Sequence, residues 1–456
     1  MRMDDKMQKI VSLAKRKGFV FPSSEIYGGI ESVWDYGPLG ALMRENIRRE
    51  WRKRFIQQKD NIVPIEGMVL MNSKVWETSG HVENFTDPLF ECKNCNGRFR
   101  EDHMKEGSFV GQGKATEKNQ CPTCGGKEFT EPRNFELMFK TFLGPVEDEA
   151  NVAYLRPETA QSMFTNFKLV QESQRLKVPF GIAQVGKAFR NEITTGNFIF
   201  RLRELEIMEI EYFVKPGEDE KVFDEWVQEW FQFYLDMGLS QKNLRLYEHP
   251  KEGLAHYSKR TVDIEYKFPF GWGELSGVAN RTDFDLKAHS EASGQDLRYR
   301  DEETGESYFP YVIEPTMGVD RLMLALLVEG YEEIEGARTT TTEAVKESEV
   351  VLKLNPKVAP VQVVVYPLIK NKPELVAKAK EVYDTLKAQF MTQYDESGSI
   401  GRRYRRADEI GVPLAVTVDF KTMDEGMVTV RDRDTMKQET IQVSELIRYI
   451  TDKLNV

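Results

Sequence analysis

The chain has 456 residues, a formal net charge of −11, four cysteines and five histidines. That length accommodates two to four domains, and the acidic balance gives no overall attraction for nucleic acid, so any such contact must come from a local basic patch. No apolar stretch approaches membrane-span length and the polar opening MRMDDKMQKIVSLAKRKG lacks a secretory apolar region, which excludes membrane-spanning and secreted classes and points to the cytoplasm.

Residues 3–18 read as a helix ending at Gly18, followed by an aromatic, Gly-rich segment over 19–38. Leu39, Leu42, Met43, Ile47, Trp51 and Phe55 then recur at helical spacing with arginines on the opposite face. Residues 62–65 form a short strand whose Pro64 suits an edge. Ser79, Gly80 and His81 form a turn with a structural or substrate-closing role. The cysteines Cys92, Cys95, Cys121 and Cys124 follow as two CxxC pairs, with Gly97 and the pair Gly125 and Gly126 behind them. In a cytoplasmic chain, two such pairs point to a tetrahedral structural zinc site with no position open to water. The span between the pairs, with Gly107, Gly111 and Gly113, is polar.

Residues 134–143 and 152–156 read as short strands. Arg156, Pro157, Glu158, Thr159, Ala160 and Gln161 then lead into a helix. Glu158 could serve simply as an acidic residue in its first turn. Residues 180–213 read as two extended runs around the turn Thr194, Thr195, Gly196 and Asn197, which is an antiparallel hairpin. It carries Arg190, Glu192, Arg201 and Arg203 near its turn; the apolar alternation of its second run shifts phase between Ile207 and Ile210. Arginine forks suit phosphate oxygens, and a glutamate can accept from an exocyclic amine. A surface hairpin with scattered charges is the alternative reading.

Phe223, Trp226, Trp230, Phe233 and Met237 make an apolar helical stripe, read as core. Glu274 and Arg281 lie in the stretch 271–283. Taken alone they are a surface carboxylate and a structural partner for Asp283 or Asp285. Residues 286–307 read as a solvated, charged linker. A strand over 308–313 runs into Glu314 and Thr316, and Arg321 sits just inside the helix that follows and ends at Gly330. After a crossing segment over 331–360, residues 361–456 read as a compact α/β module with strands at 361–366, 393–396, 414–418 and 427–431 and helices at 373–391, from 401, and at 443–454. Arg402, Arg403, Arg405 and Arg406 flank Tyr404, a basic run in an acidic chain and a candidate RNA contact.

Two of these stretches resemble motifs 2 and 3 of the class II aminoacyl-tRNA synthetases: Phe189, Arg190, Asn191 and Glu192 in the hairpin, and the run from Glu314 to Arg321. The long helix followed by the strand with Pro64 resembles motif 1, which implies a homodimer interface. Over nearly its whole length the chain resembles the glycyl-tRNA synthetases of homodimeric type. The resemblance implies an α+β fold. An antiparallel catalytic sheet flanked by helices would occupy residues 1–85 and 151–345. A zinc-binding insertion would fill 86–150, a linker 346–360, and a C-terminal α/β anticodon-binding domain 361–456. It implies ligation of glycine to the terminal adenosine of tRNA(Gly), with ATP and Mg2+. Arg190 would meet the α-phosphate, Glu192 the adenine amine, and Arg201, Arg203, Leu205 and Arg321 the nucleotide, with Glu274 toward magnesium. Glu158 and Glu314 would face the glycine ammonium, Thr316 would close the pocket and Arg281 would meet the carboxylate. Leu205 stands where the family usually has phenylalanine, and Thr316 where it usually has serine. Two other readings are a non-catalytic accessory subunit of synthetase shape and an ATP-dependent ligase for another small molecule. The first would be expected to lack the phosphate arginines, and the second gives no reason for the C-terminal module.

Overall fold

A computed structural model describes residues 3–100, 120–121, 123–192, 197–335 and 348–454. The turn residues Thr194, Thr195 and Gly196 and the glycines Gly107, Gly111 and Gly113 lie outside them. Seven strands form the central sheet: β1 (Ile62–Pro64), β2 (Phe180–Phe189), β3 (Glu204–Val214), β4 (Leu244–Glu248), β5 (Arg260–Phe268), β6 (Gly271–Thr282) and β7 (Tyr311–Gly318). Their order is β4-β5-β6-β7-β3-β2-β1, antiparallel except for the edge pair β1–β2. Pro64 ends the edge strand, where its missing N–H leaves no ladder partner unsatisfied. The hairpin read from the sequence is β2–β3, with Glu209 opposite Gln184.

The sequence explains why the sheet is covered on both faces. Strand β2 is apolar nearly throughout and its first five residues are buried. Helix α1 (Pro38–Arg52) continues into a π-helical turn at Lys53–Gln57, and Phe55 from that turn stacks on Trp230 and Phe233 at 4.5 and 5.2 Å. Those rings come from α2 (Asp219–Asp236), so the aromatic stripe is core, as its spacing indicated. At the start of α1 a Cβ on Gly40 would lie 1.9 Å from the Phe19 carbonyl, so the chain crosses there only over a glycine. Helix α3 (Phe284–Ser293) replaces the solvated linker expected over that stretch. Its Asp285, Leu286 and His289 are buried, because the carboxylate has a cationic partner inside the sheet. Helix α4 (Val319–Gly330) is apolar on nearly all sides and correspondingly buried on nearly all sides.

Around the cysteines, Thr86–Glu91 is the middle strand of a small sheet, with Arg98–Arg100 and Arg133–Glu136 beside it. The C-terminal module is a five-stranded sheet. Its strand Val363–Pro367 runs parallel to its two neighbours, Thr392–Tyr394 at the edge and Leu414–Val418 at the centre. The antiparallel strands Met427–Asp432 and Gln438–Gln442 continue it beyond Leu414–Val418. The last of these, polar and at the edge, was not legible as a strand. No helix among the described residues is long and apolar enough to cross a membrane.

The basic run is corrected by this packing. Helix α5 (Ile400–Glu409) lies between the module's sheet and residues 348–352, so its arginines point into protein. Arg403 is buried and donates to the carbonyls of Pro367, Leu368 and Gly398. Arg405 is buried against Glu349 at 3.1 Å, and Arg406 pairs with Asp395 and Ser397. Arg402 alone of the four is exposed. Arg403 and Arg405 therefore fasten the module, and Arg402 and the half-exposed Arg406 are left at its surface. On the same helix Asp408 takes both arms of buried Arg431, at 2.9 and 3.0 Å. Replacing Asp408 with alanine leaves that guanidinium buried without a counter-ion. It should lower the module's stability by about 3–5 kcal/mol, read as an earlier urea transition; an unchanged transition would contradict the assignment.

Candidate active site

The faces of β3, β5, β6 and β7 that turn away from α2 enclose a cavity of about 340 Å³. It is lined by Arg190, Glu192, Arg201, Leu205, Glu274, Glu314, Thr316 and Arg321, eight of the residues singled out in the sequence. Strand β2 ends just before Arg190, and α4 begins just before Arg321, so the edges of the sheet aim both guanidiniums at one space. Arg321 lies 3.1 Å from the Glu274 carboxylate, donates to the Phe200 carbonyl and stacks on the Phe200 ring at 4.6 Å. The Arg321 charge, aided by Arg190 and Arg201, holds the Glu274 carboxyl below its usual range although burial opposes it. Glu274 is exposed within the cavity, so an ionised carboxylate faces it there. Arg190 is steadied by one bond to the Pro157 carbonyl. Arg203 differs from the expectation: its guanidinium is spent on the carbonyls of Glu192 and Glu31, which closes the hairpin loop.

At the other end, carboxylates accumulate. Arg281 is fully buried. Its Nε and Nη2 grip Asp285 at 2.8 and 3.0 Å, and its Nη1 donates to Glu314 at 2.6 Å. Nη2 also lies 3.8 Å from Glu158, and the plane stacks on Tyr257 at 3.9 Å. Of the two partners left open by the sequence, Asp285 is therefore the actual one. Both edges of the fork are taken, so Arg281 does not offer a free guanidinium to a substrate carboxylate; it sets the position of Glu314 instead. Glu158 accepts from Gln161 at 2.9 Å and lies 3.3 Å from His81, whose other ring nitrogen meets Ser79 at 2.8 Å. Ser79 and His81 thus form a chain of contacts that ends on Glu158. Burial opposes ionisation of Glu158, yet His81 and Arg281 hold its carboxyl well below the usual range.

Two carboxylates were not singled out from sequence. Glu209 and Glu211 on β3 are fully buried, and one oxygen of each lies within 4.8 Å of the other's and of one from Glu314. Thr159 donates to Glu209, and the Thr316 hydroxyl lies 2.9 Å from Glu209 and 3.1 Å from Glu314. Burial, with Glu314 and Glu158 nearby, pushes the Glu209 carboxyl up to about 8. In the sequence they are two of four glutamates in β3, with Glu204 and Glu206, and their spacing does not set them apart. The cavity thus joins a cationic end, suited to phosphates, to an anionic end, suited to an ammonium group.

At the insertion, Cys92 and Cys124, and Cys95 and Cys121, have sulfurs 3.6 Å apart, and all four sulfurs lie within 4.8 Å of one another. A tetrahedral ion with bonds of about 2.3 Å separates its ligand sulfurs by about 3.8 Å, so the cluster fits zinc. In each pair the first cysteine's N–H and carbonyl bond to the loop behind it, as in Cys92 to Gly97 and Asn96, and Cys121 to Gly126 and Gly125.

Comparison with known proteins agrees with this geometry. Residues 139–330 match the tRNA synthetase class II core domain (G, H, P, S and T), and residues 362–453 match the anticodon binding domain. The chain is 53% identical to a glycine–tRNA ligase of Streptomyces coelicolor, over 99% of both chains. It is 51% identical to that of Thermobifida fusca, over 98% of both. A solved Giardia lamblia prolyl-tRNA synthetase in complex with prolyl-adenylate superposes with a TM-score of 0.68 at 17% identity, covering all of this chain and 79% of that one, which shows the shared fold.

The Glu209 environment has a consequence for stability. Its folded pKa lies above the unfolded value near 4.5, so the folded state binds the proton more tightly. The stabilisation is full below about pH 4.5 and is lost as pH rises through about 8. Glu209→Gln should flatten that decline in the ligand-free protein, measured as melting temperature against pH; a decline of equal slope in the variant would assign it elsewhere.

Proposed function

The chain belongs to the glycine–tRNA ligase family of class II aminoacyl-tRNA synthetases and attaches glycine to tRNA(Gly), and from that premise we propose how its pocket divides the work. The observation that carries the proposal is that one cavity runs from the arginines around Glu274 to Glu314, the carboxylate that Arg281 holds beside Glu158 and Glu209. Glycine enters with its ammonium toward Glu158, Glu209 and Glu314, and Thr316 closes that end. Its carboxylate, already ionised, points back to the arginines and attacks the α-phosphorus of ATP. The new bond is from carboxylate oxygen to phosphorus, the bond to pyrophosphate breaks, and no side-chain base is needed. Arg190 stabilises charge growing on the α-phosphate oxygens. Arg201 and Arg321 hold the nucleotide and its leaving phosphates, with adenine lying between Leu205 and the Arg321 plane and Glu192 accepting from its amine. Glu274, ionised and open to the cavity, would hold a magnesium ion, which would supply charge neutralisation for the leaving phosphates. In the second step the 3′-hydroxyl of the terminal adenosine attacks the glycyl carbonyl, and AMP leaves.

Glycine has no side chain to grip, so selection rests on exclusion: a wall that a methyl would strike discriminates more than a lost contact. Ala279 and Tyr257 line the cavity alongside Glu314 and Thr316 and can supply that wall. The domain limits read from the sequence are retained, with residues 361–456 as the anticodon-binding module. The protein is proposed to be a cytoplasmic homodimer. In support, Phe21, Ile26, Tyr27 and Ile30 are exposed in the aromatic segment before α1. The four thiolates are proposed to hold one structural zinc ion.

The direct test is incubation with glycine, ATP, Mg2+ and total tRNA. Glycine-dependent pyrophosphate exchange and charged tRNA(Gly) are expected, and exchange without charging would remove the RNA half of the reading. Arg190→Ala should lower exchange roughly 100- to 1000-fold with little change in circular dichroism; near-normal exchange would remove Arg190 from its role. Elemental analysis should find about one zinc per chain, and Cys121→Ser should lose both the metal and thermal stability. A metal-free native protein of undiminished stability would rule out a structural zinc.

A further inference from the structure

Glu211 belongs to the buried carboxylate cluster that reaches the cavity through Glu314, and it has no role in the reading above. It lies two residues from Glu209 on β3, so the two side chains leave the same face of the sheet. It is fully buried, and neither of its carboxylate oxygens has a hydrogen-bond partner. One of those oxygens nevertheless lies within 4.8 Å of oxygens from Glu209 and Glu314, the residues that receive the glycine ammonium in the reading above, on which this inference rests.

The charges around it come from every neighbouring element. Strand β7 brings Glu314, β6 brings Arg281, and α3 brings Asp285 and His289. The turn before the helix Ala160–Thr165 brings Glu158, and the short helix His81–Asn84 brings His81. Tyr257 stacks on Arg281. Strand β2 opposes Glu209 and Glu211 with Gln184 and Ile182, which carry no charge. Glu158, Glu209, Glu211, Glu314 and Asp285 thus face two buried guanidiniums, Arg281 among them and Arg156 on the Glu209 side. The ion pairs of Arg281 reach Asp285, Glu314 and Glu158 but not Glu209 or Glu211. A buried carboxylate with no donor and no ion pair of its own, beside other carboxylates, is more stable protonated than ionised. Burial and Glu314 together push the Glu211 carboxyl well above the carboxylate range.

We propose that Glu211 is a further residue of the glycine site: it carries a proton while the site is empty, and the incoming ammonium displaces that proton. The positive charge of the ammonium replaces that of the proton, so the cluster's net charge is the same before and after. The bond broken is the O–H of the carboxylic acid, and the proton passes to solvent. Glycine binding should then strengthen with rising pH, up to about tenfold per unit for one proton released. The gain ends once the cluster loses its proton unaided.

The test uses the full chain and two non-hydrolysable probes, glycyl-sulfamoyl adenosine and the same molecule with an acetyl group in place of glycyl. Each is titrated calorimetrically below neutral pH, where the glycyl amine is already protonated in solution, in buffers of differing ionisation enthalpy. The wild-type protein should release close to one more proton for the glycyl probe than for the acetyl probe. In Glu211→Gln the excess should fall, with only the Glu209 proton left for the ammonium to displace, while the glycyl probe still binds. Equal release for both probes in the wild type would overturn the proposal, and so would an undiminished excess in a folded Glu211→Gln variant. If that variant does not fold, the wild-type comparison decides alone. Failure of the glycyl probe to bind the wild type would instead overturn the reading of the pocket and the proposal with it.

Discussion

The site depends on one buried guanidinium. Arg281 is an ion that the interior tolerates only because Asp285 meets it with two oxygens and Glu314 with a third. Removing any partner would leave an uncompensated charge, at a cost of about 3–5 kcal/mol. That constraint fixes Glu314 at the cavity wall and brings α3 against the sheet. With His81, the larger influence, it also holds the Glu158 carboxyl well below the usual range. Around this centre the chain has buried more carboxyl groups than it has cations to pair with them. Such an excess weakens a fold, and its retention beside a cavity is the mark of a site built for a cation.

The nucleotide end has its own support, laid down by the N-terminal helix. Arg44 on α1 pairs with Glu206 at 2.9 Å and Asp320 at 3.2 Å, and stacks on Tyr36 at 3.8 Å. Asp320 also accepts from the Glu206 amide and from the Tyr36 hydroxyl. These contacts tie α1 to strand β3 and to the first turn of α4, one residue before Arg321. The direction of Arg321 therefore rests on α1, the helix proposed for the dimer interface. A shift of α1 would be felt first by the arginine that lies against the nucleotide.

Much of this was legible in the sequence because it is written locally. The hairpin around Arg190, the turn into Arg321, the CxxC pairs and the aromatic stripe each declare themselves within a dozen residues. The remainder depends on which face of an element is covered. Strand β3 is buried on both faces, so its alternation fails, and the two glutamates that matter most stand among apolar neighbours without a periodic signal. Arg403 and Arg405 read as a surface run because charge was counted without knowing that α5 is sandwiched. Helix α3 read in part as a wet linker because its charged residues from 286 onward were counted without knowing that Leu286 and His289 are covered. Ion pairs between strands and helices far apart in sequence leave no local pattern, and here they decide the site.

The central claim is that the carboxylate end of the cavity selects its substrate by the ammonium group. Glycolate is the direct probe, since it has the size and carboxylate of glycine with a hydroxyl in place of the ammonium. Pyrophosphate exchange should be measured with each compound at equal concentration, with the unmodified protein, ATP and Mg2+. The account predicts exchange that depends on glycine and none above background with glycolate. Comparable exchange with both would show that the carboxylates do not read the ammonium, and would contradict the account at its centre.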